Sequence, residues 1–486
     1  MLLRHYALSL LLLFFAVTVK GQEWHEFHVE TPGTLQEVMG DGAEKLTHVR
    51  VTGTINDKDI KYLHYLAWSV PAKSAGMDDD TYLKMVLRTE EEDSFRVKLK
   101  YLDLEDARMV NDALPDEAFH GSYVIGYKLP KTLKKIGHSA FEWNVLLKEL
   151  VIPESVESIG NDLLRFSVKV EKVRLPDNLK VLNENMFVEC WKLKEVNIPS
   201  QLREIHGMVF CGCHVFSPEA TILPESVEII DGEMFSGNRL MREIVIPKNV
   251  RVLKKACSDM YGLRKATILS DKLTEIGEEA FYACDSLEEV NIPYGITTIG
   301  KGAFQWNSKL RNIQLPSTVT HIEDLAFYYA HLESIEIPEG VVFIGQRAFS
   351  YNDTLRMVYA HPVVPPSTNV PKDSLKYLPF HSSSTETAIL YVPKGSAEAY
   401  RASKVFSEFQ NIVELEDWQW PTTSISSPST STASFRVYGE DGALCIVADG
   451  NSGHGPVSVN VYGIDGSSVW SGQLTNRVEI SLPKGL

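Results

Sequence analysis

The residues best suited to nucleophilic or metal chemistry in this sequence are few and widely spaced. Six cysteines occur among 486 residues, and only Cys211 and Cys213 lie close together, as a C-x-C pair. Zinc and redox sites ordinarily use C-x-x-C pairs or joined Cys and His clusters, and the sequence contains neither. The thiols therefore predict no metal or redox centre, although a disulfide formed in an oxidising compartment stays open.

Histidine and serine pairs occur near the two ends of the chain. His25 and His28 could share a metal, and Ser452 and His454 stand in the stretch DGNSGHG, but a polar terminus and a turn-rich loop explain both pairs without chemistry. The sequence has no G-x-S-x-G, no H-E-x-x-H, no phosphate-binding glycine loop and no zinc signature. We predict that the protein is not an enzyme, with no catalytic residue, no metal ligand and no cofactor.

Acidic residues form two short runs, residues 78–80 and 90–93, which lack the spacing of an EF-hand and indicate solvated loops. The net charge of −16 argues against binding to nucleic acid or to anionic membranes, because both need a basic face. Scattered carboxylates could still meet in space as a glycosidase pair, so a carbohydrate-processing protein remains an alternative.

A short sequence repeat runs through the middle of the chain. The fold that it forms must position any functional side chains. The Ala-Phe pair at Ala303 returns at Ala326, and phenylalanine recurs about every 23 residues. The series is Phe141, Phe187, Phe210, Phe235, Phe281, Phe304, Phe327 and Phe349. Prolines mark the same period at Pro130, Pro153, Pro176, Pro199, Pro224, Pro247, Pro293, Pro316 and Pro338. A fixed period of this length is typical of a solenoid.

Each period has the pattern L-x-x-h-x-I-P-x-x-h-x-x-I-G-x-x-A-F-x-x-N/C, where h is apolar; LEEVNIPYGITTIGKGAFQWN is a clean copy. The pieces LEEVNIP and ITTIG alternate apolar and polar residues, which predicts two short strands with one buried face. Proline ends the first strand, and we expect the glycine to permit the bend after the second. One unit cannot bury its own apolar residues, so about ten stacked 23-residue coils are predicted.

The pattern IPxxVxxIGxxAFxxCxxLxxVxIP resembles the BspA-type leucine-rich repeats of bacterial surface proteins over about residues 103–360. The sequence departs from it at Leu163-Leu164, at Ala256-Cys257 and in CGCHVFSPEATILP. The position three after the phenylalanine looks like the hydrogen-bonded ladder of leucine-rich repeats. Its members are Asn144, Cys190, Cys213, Asn238, Cys284, Asn307 and Asn352.

Aromatic residues follow the repeated phenylalanine by one or two positions. They are Trp143, Tyr282, Trp306, Tyr328, Tyr329 and Tyr351. Exposed aromatic patches commonly mark binding sites, so we predict that these side chains contact a protein or a glycan. The alternative is that the rings pack against the neighbouring coil.

The ends of the chain carry other signals. The first residues, MLLRHYALSLLLLFFAVTVKGQ, combine a basic start, an apolar run and small residues before Gln22, which predicts a signal peptide and export. The flanks of the repeats look like caps, and a short helix near Ser396 is expected to pack Ala399, Tyr400 and nearby phenylalanines on the last coil. PTTSISSPSTSTAS indicates a linker.

After the linker, alternating segments with Asp-Gly turns predict a small Ig-like β-sandwich, which resembles the C-terminal sorting domain of the type IX secretion pathway. The predicted fold class is thus a β-rich leucine-rich repeat solenoid with two caps, followed by that sandwich. The boundaries are 1–21 signal peptide, 22–102 N-terminal cap, 103–360 solenoid, 361–418 C-terminal cap, 419–434 linker and 435–486 sandwich.

The resemblance implies an exported surface or extracellular protein, with the periplasm also open, that binds host or matrix proteins or other cells as an adhesin does. Two alternatives are kept: a carbohydrate-binding or carbohydrate-processing envelope protein, and a structural envelope scaffold. The expected partner is an extracellular protein or glycan, with no nucleic acid and no membrane span in the mature chain.

Overall fold

The structure is a computed structural model that describes residues 23–68, 98–215, 223–371 and 374–416, together with the backbone of five strands between 434 and 481. Several sequence predictions lie outside the described residues: the signal peptide, both acidic runs, the Ser452 and His454 loop, and the linker up to residue 433. No helix within the described part is long and apolar enough to cross a membrane.

The strands are short, and nearly all of them pair in parallel. The elements up to residue 199 are β1 His25–Val29, α1 Leu35–Met39, a 3-10 turn Ala43–Lys45, β2 His48–Ile55, α2 Asp57–Ala67, β3 Tyr101–Asp103, β4 Ala107–Met109, β5 Ala113–Leu114, β6 Gly126–Lys128, β7 Lys135–Ile136, β8 Glu149–Val151, β9 Ser158–Ile159, β10 Lys172–Arg174, β11 Val181–Leu182 and β12 Glu195–Val196.

The same kind of element continues after residue 199. The series is β13 Glu204–His206, β14 Ile229–Asp231, β15 Glu243–Ile246, β16 Val252–Lys254, β17 Lys265–Ile268, β18 Glu275–Ile276, β19 Glu289–Val290, β20 Thr298–Ile299, β21 His321–Ile322, β22 Ser334–Ile337, β23 Phe343–Ile344, β24 Met357–Ala360, a 3-10 turn Leu375–Tyr377, β25 Ile389–Pro393, α3 Ala397–Ala402 and β26 Asn411–Leu415.

The chain divides into two compact units, residues 1–179 with 185–199 and residues 180–184 with 200–486. In the first unit, one sheet runs β1-β2-β3-β6-β8-β10-β12, with β4 also paired to β2, and a second runs β5-β7-β9. Glu149 pairs with Lys172, and Lys172 pairs with Glu195, so these strands are offset by 23 residues. The period of the sequence is therefore the strand register.

The second unit contains four parallel sheets: β11-β13-β14-β16, β15-β17-β19, β18-β20-β21-β23 and β22-β24-β25-β26. Thr298 pairs with His321 and His321 with Phe343, again one coil apart. These pairs, together with those of the first unit, make the chain a β-solenoid, as the sequence predicts.

The repeated phenylalanines form the centre of the core. Phe281, Phe304, Phe327 and Phe349 are fully buried, and successive rings stack with centroids 5.2 to 5.4 Å apart. Phe380 stacks on Phe349 at 4.8 Å. Parallel stacking of identical rings lets each coil cover the apolar surface of its neighbour, which no single coil can do alone.

The predicted count of about ten coils is wrong, because the structure has about 15 turns. Parallel pairing continues into both predicted caps: Val49 pairs with Leu102, Val358 with Leu390 and Leu390 with Ile412. Backbone hydrogen bonds join strands whatever lies between them, so coils of irregular length stack without showing a sequence period.

The glycine after the second strand serves a bend in some coils and a close approach in others: Gly207 after β13 and Gly232 after β14 have φ of 65° and 143°, as expected for a bend. Gly277 and Gly300 do not adopt the positive φ that favours glycine. A Cβ on Gly300 would lie 2.7 Å from the Ile276 carbonyl oxygen, and one on Gly277 would lie 2.3 Å from that of Leu253. These glycines are needed because two coils approach closely, not because the chain must bend.

The region after the last coil differs in detail from the prediction. Helix α3 begins at Ala397 and buries Ala397 and Tyr400, whereas Ala399 is exposed. The Tyr400 hydroxyl donates to the Pro362 carbonyl at 2.6 Å, and Phe406 lies 5.5 Å from Phe380 between ring centroids. A short helix buries one narrow face. In α3 that face contains Ala397 and Tyr400, and Ala399 lies outside it.

Five antiparallel strands follow. They are β27 Ser434–Glu440, β28 Ala443–Asp449, β29 Val457–Tyr462, β30 Ser468–Leu474 and β31 Arg477–Ser481. They form two sheets, β27-β28-β31 and β29-β30. The antiparallel pairing agrees with the alternating sequence, and the Asp-Gly turns lie outside the described residues.

Candidate functional site

The aromatic side chains project from a corner where the backbone is strained. The residue two after the phenylalanine has a positive φ in successive coils: 61° at Trp306, 56° at Tyr329 and 59° at Tyr351. For bulky side chains this left-handed conformation is unusual and costs free energy. The same position has a positive φ in other coils, at Trp143, Phe166, Glu189, Asp259 and Ala283, so the repeat imposes this conformation whatever side chain it carries.

Four of the six predicted site residues meet here. The Trp306 and Tyr329 ring centroids lie 4.5 Å apart, and those of Tyr328 and Tyr351 lie 5.3 Å apart. Tyr329 also contacts Tyr351 at 6.3 Å and His331 at 4.9 Å. We call Trp306, Tyr328, Tyr329, His331 and Tyr351 the aromatic corner.

The aromatic corner is only partly covered by its own packing. Trp306 keeps 38% of its surface exposed, while the tyrosines and His331 are half-buried. Partial burial fixes the ring positions, and the remaining surface is available to a ligand. Burial and the neighbouring Tyr351 raise the pKa of the Tyr328 hydroxyl, with Arg347 acting in the opposite direction, so this phenol stays neutral at physiological pH.

The other two predicted site residues, Trp143 and Tyr282, lie on other coils. Trp143 belongs to the first unit, where its ring packs on Phe166 with centroids 4.5 Å apart. Tyr282 is half-buried, and burial with the nearby carboxylates of Asp259 and Glu279 raises the pKa of its hydroxyl. Among the described residues, no ring contact joins Tyr282 to the aromatic corner.

The ladder residues point into the core. Asn144 donates to the Phe119 carbonyl at 2.7 Å, Asn307 to that of Phe281 at 2.8 Å and Asn352 to that of Phe327 at 2.9 Å. Each bond reaches the preceding coil. A buried carbonyl needs such a donor, because leaving it unpaired is costly.

Cysteines at ladder positions bond in the same way. The Cys190 thiol donates to the Leu164 carbonyl at 3.2 Å and the Cys284 thiol to that of Cys257 at 2.8 Å. Burial raises the pKa of both ladder thiols, and it raises the pKa of the Cys257 thiol to about 12. A reactive thiol needs the opposite shift.

The cysteines in the part of the chain that the structure describes show no arrangement for redox or metal chemistry. Cys190, Cys257 and Cys284 are buried thiols outside any disulfide bond. No group of three or more His, Cys, Asp or Glu side chains there is arranged to hold a metal ion. The described surface thus offers side chains for non-covalent contact, and carboxylates give that surface a negative charge.

Carboxylates occupy the coils that precede Trp306, which sequence reasoning did not reveal. Asp259 accepts a hydrogen bond from the Tyr261 hydroxyl at 3.1 Å, and partial burial and Asp259 together raise the pKa of Asp285. Burial, Asp259 and Glu279 likewise raise the pKa of Glu233. The sequence does show that Asp259 occupies the position, two after the phenylalanine, at which other coils carry an aromatic residue. A change in a single coil does not form a pattern, so it did not stand out.

A second aromatic pair was also missed. Tyr359 and Tyr391 lie side by side on β24 and β25, with ring centroids 4.8 Å apart and planes 11° from parallel. Tyrosine alternates with buried residues in RMVYAHP and AILYVP, which would have placed both rings on one outer face. Tyr359 and Tyr391 are half-buried against each other, and we assign them to packing of the sheet surface.

Comparison with known proteins supports the repeat assignment. A family model described as BspA type Leucine rich repeat region matches in six copies at residues 112–241 and 229–356. The comparison with curated proteins found no match.

Several solved structures are similar to this chain. A leucine-rich repeat protein from Bacteroides ovatus ATCC 8483 is 20% identical with a TM-score of 0.48, covering 77% of this chain and 85% of its own. A leucine rich cell surface protein from Faecalibacterium prausnitzii A2-165 is 17% identical, with a TM-score of 0.33 and coverages of 82% and 88%. The pneumococcal vaccine antigen PcpA is 14% identical, with a TM-score of 0.33 and coverages of 82% and 90%.

Proposed function

The chain belongs to the BspA-type leucine-rich repeat family, and we propose on that premise that it is an exported binding protein that recognises another protein, as an adhesin does. Members of leucine-rich repeat solenoid families are generally non-enzymatic, and family members are described as cell surface proteins. The amino-terminal apolar run supports export.

One observation carries the proposal: the aromatic corner places Trp306, Tyr329 and Tyr351 on successive coils with their rings in contact and Trp306 38% exposed. The core does not need these side chains, because the neighbouring coil has Ala283 at the same position, also with a positive φ. Rigid aromatic rings bury a large area with little loss of side-chain entropy, which makes them frequent hot spots of protein interfaces.

The test is binding by the exported chain, residues 22–486, on arrays of host and matrix proteins and on a glycan array. The decisive variant is Trp306→Ala/Tyr329→Ala/Tyr351→Ala. The matched control is Tyr294→Ala, because Tyr294 is an exposed aromatic at the proline turn, another corner of the coil. Thermal unfolding shows whether each variant keeps its fold.

Saturable binding to a protein that is lost in the triple variant and kept in the control supports the proposal. Binding that survives the triple variant rules out the aromatic corner as the site. Binding to glycans alone favours the carbohydrate-binding alternative. Silence on both arrays favours an envelope scaffold and contradicts the proposal.

A further inference from the structure

We infer that the partner segment bound at the aromatic corner carries a positive charge, with a lysine or arginine side chain lying beside Trp306 against the carboxylates of Asp259 and Asp285. This inference rests on the proposed function and names the chemistry of the partner. It follows from the order of residues along the corner, from their charge and from what covers them.

The strained position passes from acidic to small to aromatic over three successive coils, at Asp259, Ala283 and Trp306. Backbone hydrogen bonds set this order: Asp259 N–H to the Tyr282 carbonyl at 2.8 Å, Ala283 N–H to that of Gln305 at 2.8 Å and Trp306 N–H to that of Tyr328 at 2.9 Å. Tyr329 packs on Trp306 from the following coil, while Ala283 offers only a methyl group on the other side. The smallest side chain at this position therefore lies between Trp306 and Asp259, and we place the long side chain of the partner over it.

The side chains on the coils of Asp259 and Ala283 are aromatic and acidic. Tyr261, 41% exposed, lies on the coil of Asp259, and half-buried Tyr282 and exposed Asp285 lie on the coil of Ala283. A cation held over the face of a tyrosine or tryptophan ring is attracted by the ring's electron density, and the attraction strengthens as the cation is desolvated. Rings and carboxylates thus favour the same kind of ligand.

The carboxylates here exceed the cations that could neutralise them. Lys255 pairs with Glu279 at 3.1 Å, and the Arg239 guanidinium lies 6.0 Å from the Tyr261 ring. In the described part of the chain, Asp259 and Asp285 have no lysine, arginine or histidine nitrogen within 4.0 Å. The pKa of Asp285 is raised because partial burial and Asp259 both oppose its negative charge.

The excess of carboxylates over cations favours a partner with a positive charge. A neutral ligand that covered the two carboxylates would remove water from them without supplying an opposite charge, which costs free energy. A cationic side chain offsets that cost, and the net charge of −16 favours its approach. A basic segment of a protein is therefore the occupant that fits this surface better than a neutral glycan does.

The experiment measures binding of residues 22–486 to a graded set of synthetic peptides in which arginine successively replaces glutamine in a constant sequence of leucine, threonine and glutamine. The test variant is Asp259→Asn/Asp285→Asn. The matched control is Glu288→Gln/Glu339→Gln, which changes net charge equally at exposed carboxylates on other parts of the coils. Fluorescence anisotropy is recorded at about 50 mM and about 300 mM NaCl, since screening weakens such contacts.

We expect affinity to rise with each arginine, to fall at high salt and to fall about tenfold or more in the aspartate variant but not in the control. Affinity that ignores arginine content, an equal loss in both carboxylate variants, or no binding up to about 1 mM peptide overturns the inference. The array experiment separates the two proposals. Binding lost in the aromatic triple variant but unchanged in the aspartate variant removes only the cationic partner, whereas binding unchanged in the triple variant removes the site itself.

Discussion

The side chain three residues after the repeated phenylalanine is buried at Asn144, Asn307 and Asn352, where its hydrogen bonds join neighbouring coils. Asn352 uses both ends of its amide: Nδ2 donates to the carbonyls of Phe327 and Phe349, and Oδ1 accepts from the Leu332 amide at 2.9 Å. Asn307 donates to Phe281 at 2.8 Å, but its Oδ1 has no partner. Chemically identical residues at equivalent positions should therefore contribute differently.

We expect Asn352→Ala to lower the free energy of unfolding by about 2–3 kcal/mol and Asn307→Ala by about 1 kcal/mol, because Asn352 leaves more buried groups unpaired. Urea unfolding followed by circular dichroism measures both. Thr354→Ala, in the same coil as Asn352, serves as a control for the loss of one hydrogen bond, to the Leu332 carbonyl. Equal losses for the two asparagines would contradict the hydrogen-bond account.

Asp103, at the start of the predicted solenoid, is a charged residue that is almost fully buried. Its carboxylate accepts hydrogen bonds from the Glu105 amide and the Arg50 guanidinium, both at 3.1 Å, and lies 3.3 Å from the Lys128 ammonium. Burial alone raises the pKa of Asp103. The Glu105 amide, Lys128 and Arg50 outweigh burial and hold that pKa below the ordinary value of 3.8.

This shift predicts an acid dependence. A depressed folded-state pKa means that the stabilisation is present above the unfolded pKa near 4 and disappears as pH falls through the folded value. At pH 7 we expect Asp103→Asn to be about 1–3 kcal/mol less stable than the parent chain. Urea unfolding at descending pH should show the difference shrinking below about pH 4. A difference that stays constant in acid would show that the charge of Asp103 is not responsible.

At the scale of one element, the strand register could be read from the sequence because one residue of each coil pairs with its equivalent in the next. Leu150 pairs with Val173 and Val173 with Val196, each 23 residues on. Strands outside the period, such as β2 and β25, could not be found this way, since backbone pairing leaves no repeated side-chain pattern. The extra coils come from those strands.

The glycines show the same limit. A sequence reveals that glycine recurs, but whether it serves a bend or a close approach depends on the neighbouring coil. At Gly300, the nearest atoms to an added Cβ are backbone: the Ile276 oxygen at 2.7 Å, the Gly277 carbonyl carbon at 2.8 Å and the Glu278 nitrogen at 2.9 Å. Backbone cannot move aside as a flexible side chain can.

We therefore expect Gly300→Ala to lower the free energy of unfolding by about 2 kcal/mol or more, since the coils must separate to admit the methyl group. Gly340→Ala is the matched control. Its nearest atoms lie at 3.3 Å, and we expect a change within about 1 kcal/mol. Chemical denaturation of the two variants decides the matter. A neutral Gly300→Ala would mean that the coils are not in close contact at this position.

The candidate site was predictable in part for similar reasons. The sequence places Trp306, Tyr329 and Tyr351 at one repeated position, and the structure brings their rings together. The carboxylates on the coils that precede Trp306 follow no period. Asp285 comes four residues after its phenylalanine, where the next coils carry Ser308 and His331, so only the folded corner joins it to Trp306. A pattern finds equivalent positions, but a charged neighbour must be found in space.

At the scale of the whole molecule, the solenoid part of each described unit is built from parallel strands that pair one coil with the next. In such proteins stability is close to a sum of coil terms and neighbour terms. In the described parts of the solenoid, the strand pairs join a coil to the coils beside it. The molecule should accordingly tolerate the loss of a complete coil better than a shift within one.

We expect deletion of residues 151–173, one full coil of the first unit, to give a folded chain with reduced stability. Leu150 then continues directly into Arg174, a residue that pairs with Val151 in the parent, so every later strand keeps its face and register. Deletion of residues 151–161 is the matched control, because half a coil places strand residues where turns belong. Circular dichroism and urea unfolding should show a cooperative transition for the full-coil deletion and its loss or strong weakening for the half-coil deletion. Equal damage by both deletions would mean that the coils are not interchangeable neighbours. The aromatic corner belongs to the other unit. If binding there depends on a folded first unit, binding should be undiminished in the full-coil deletion and weakened in the half-coil deletion.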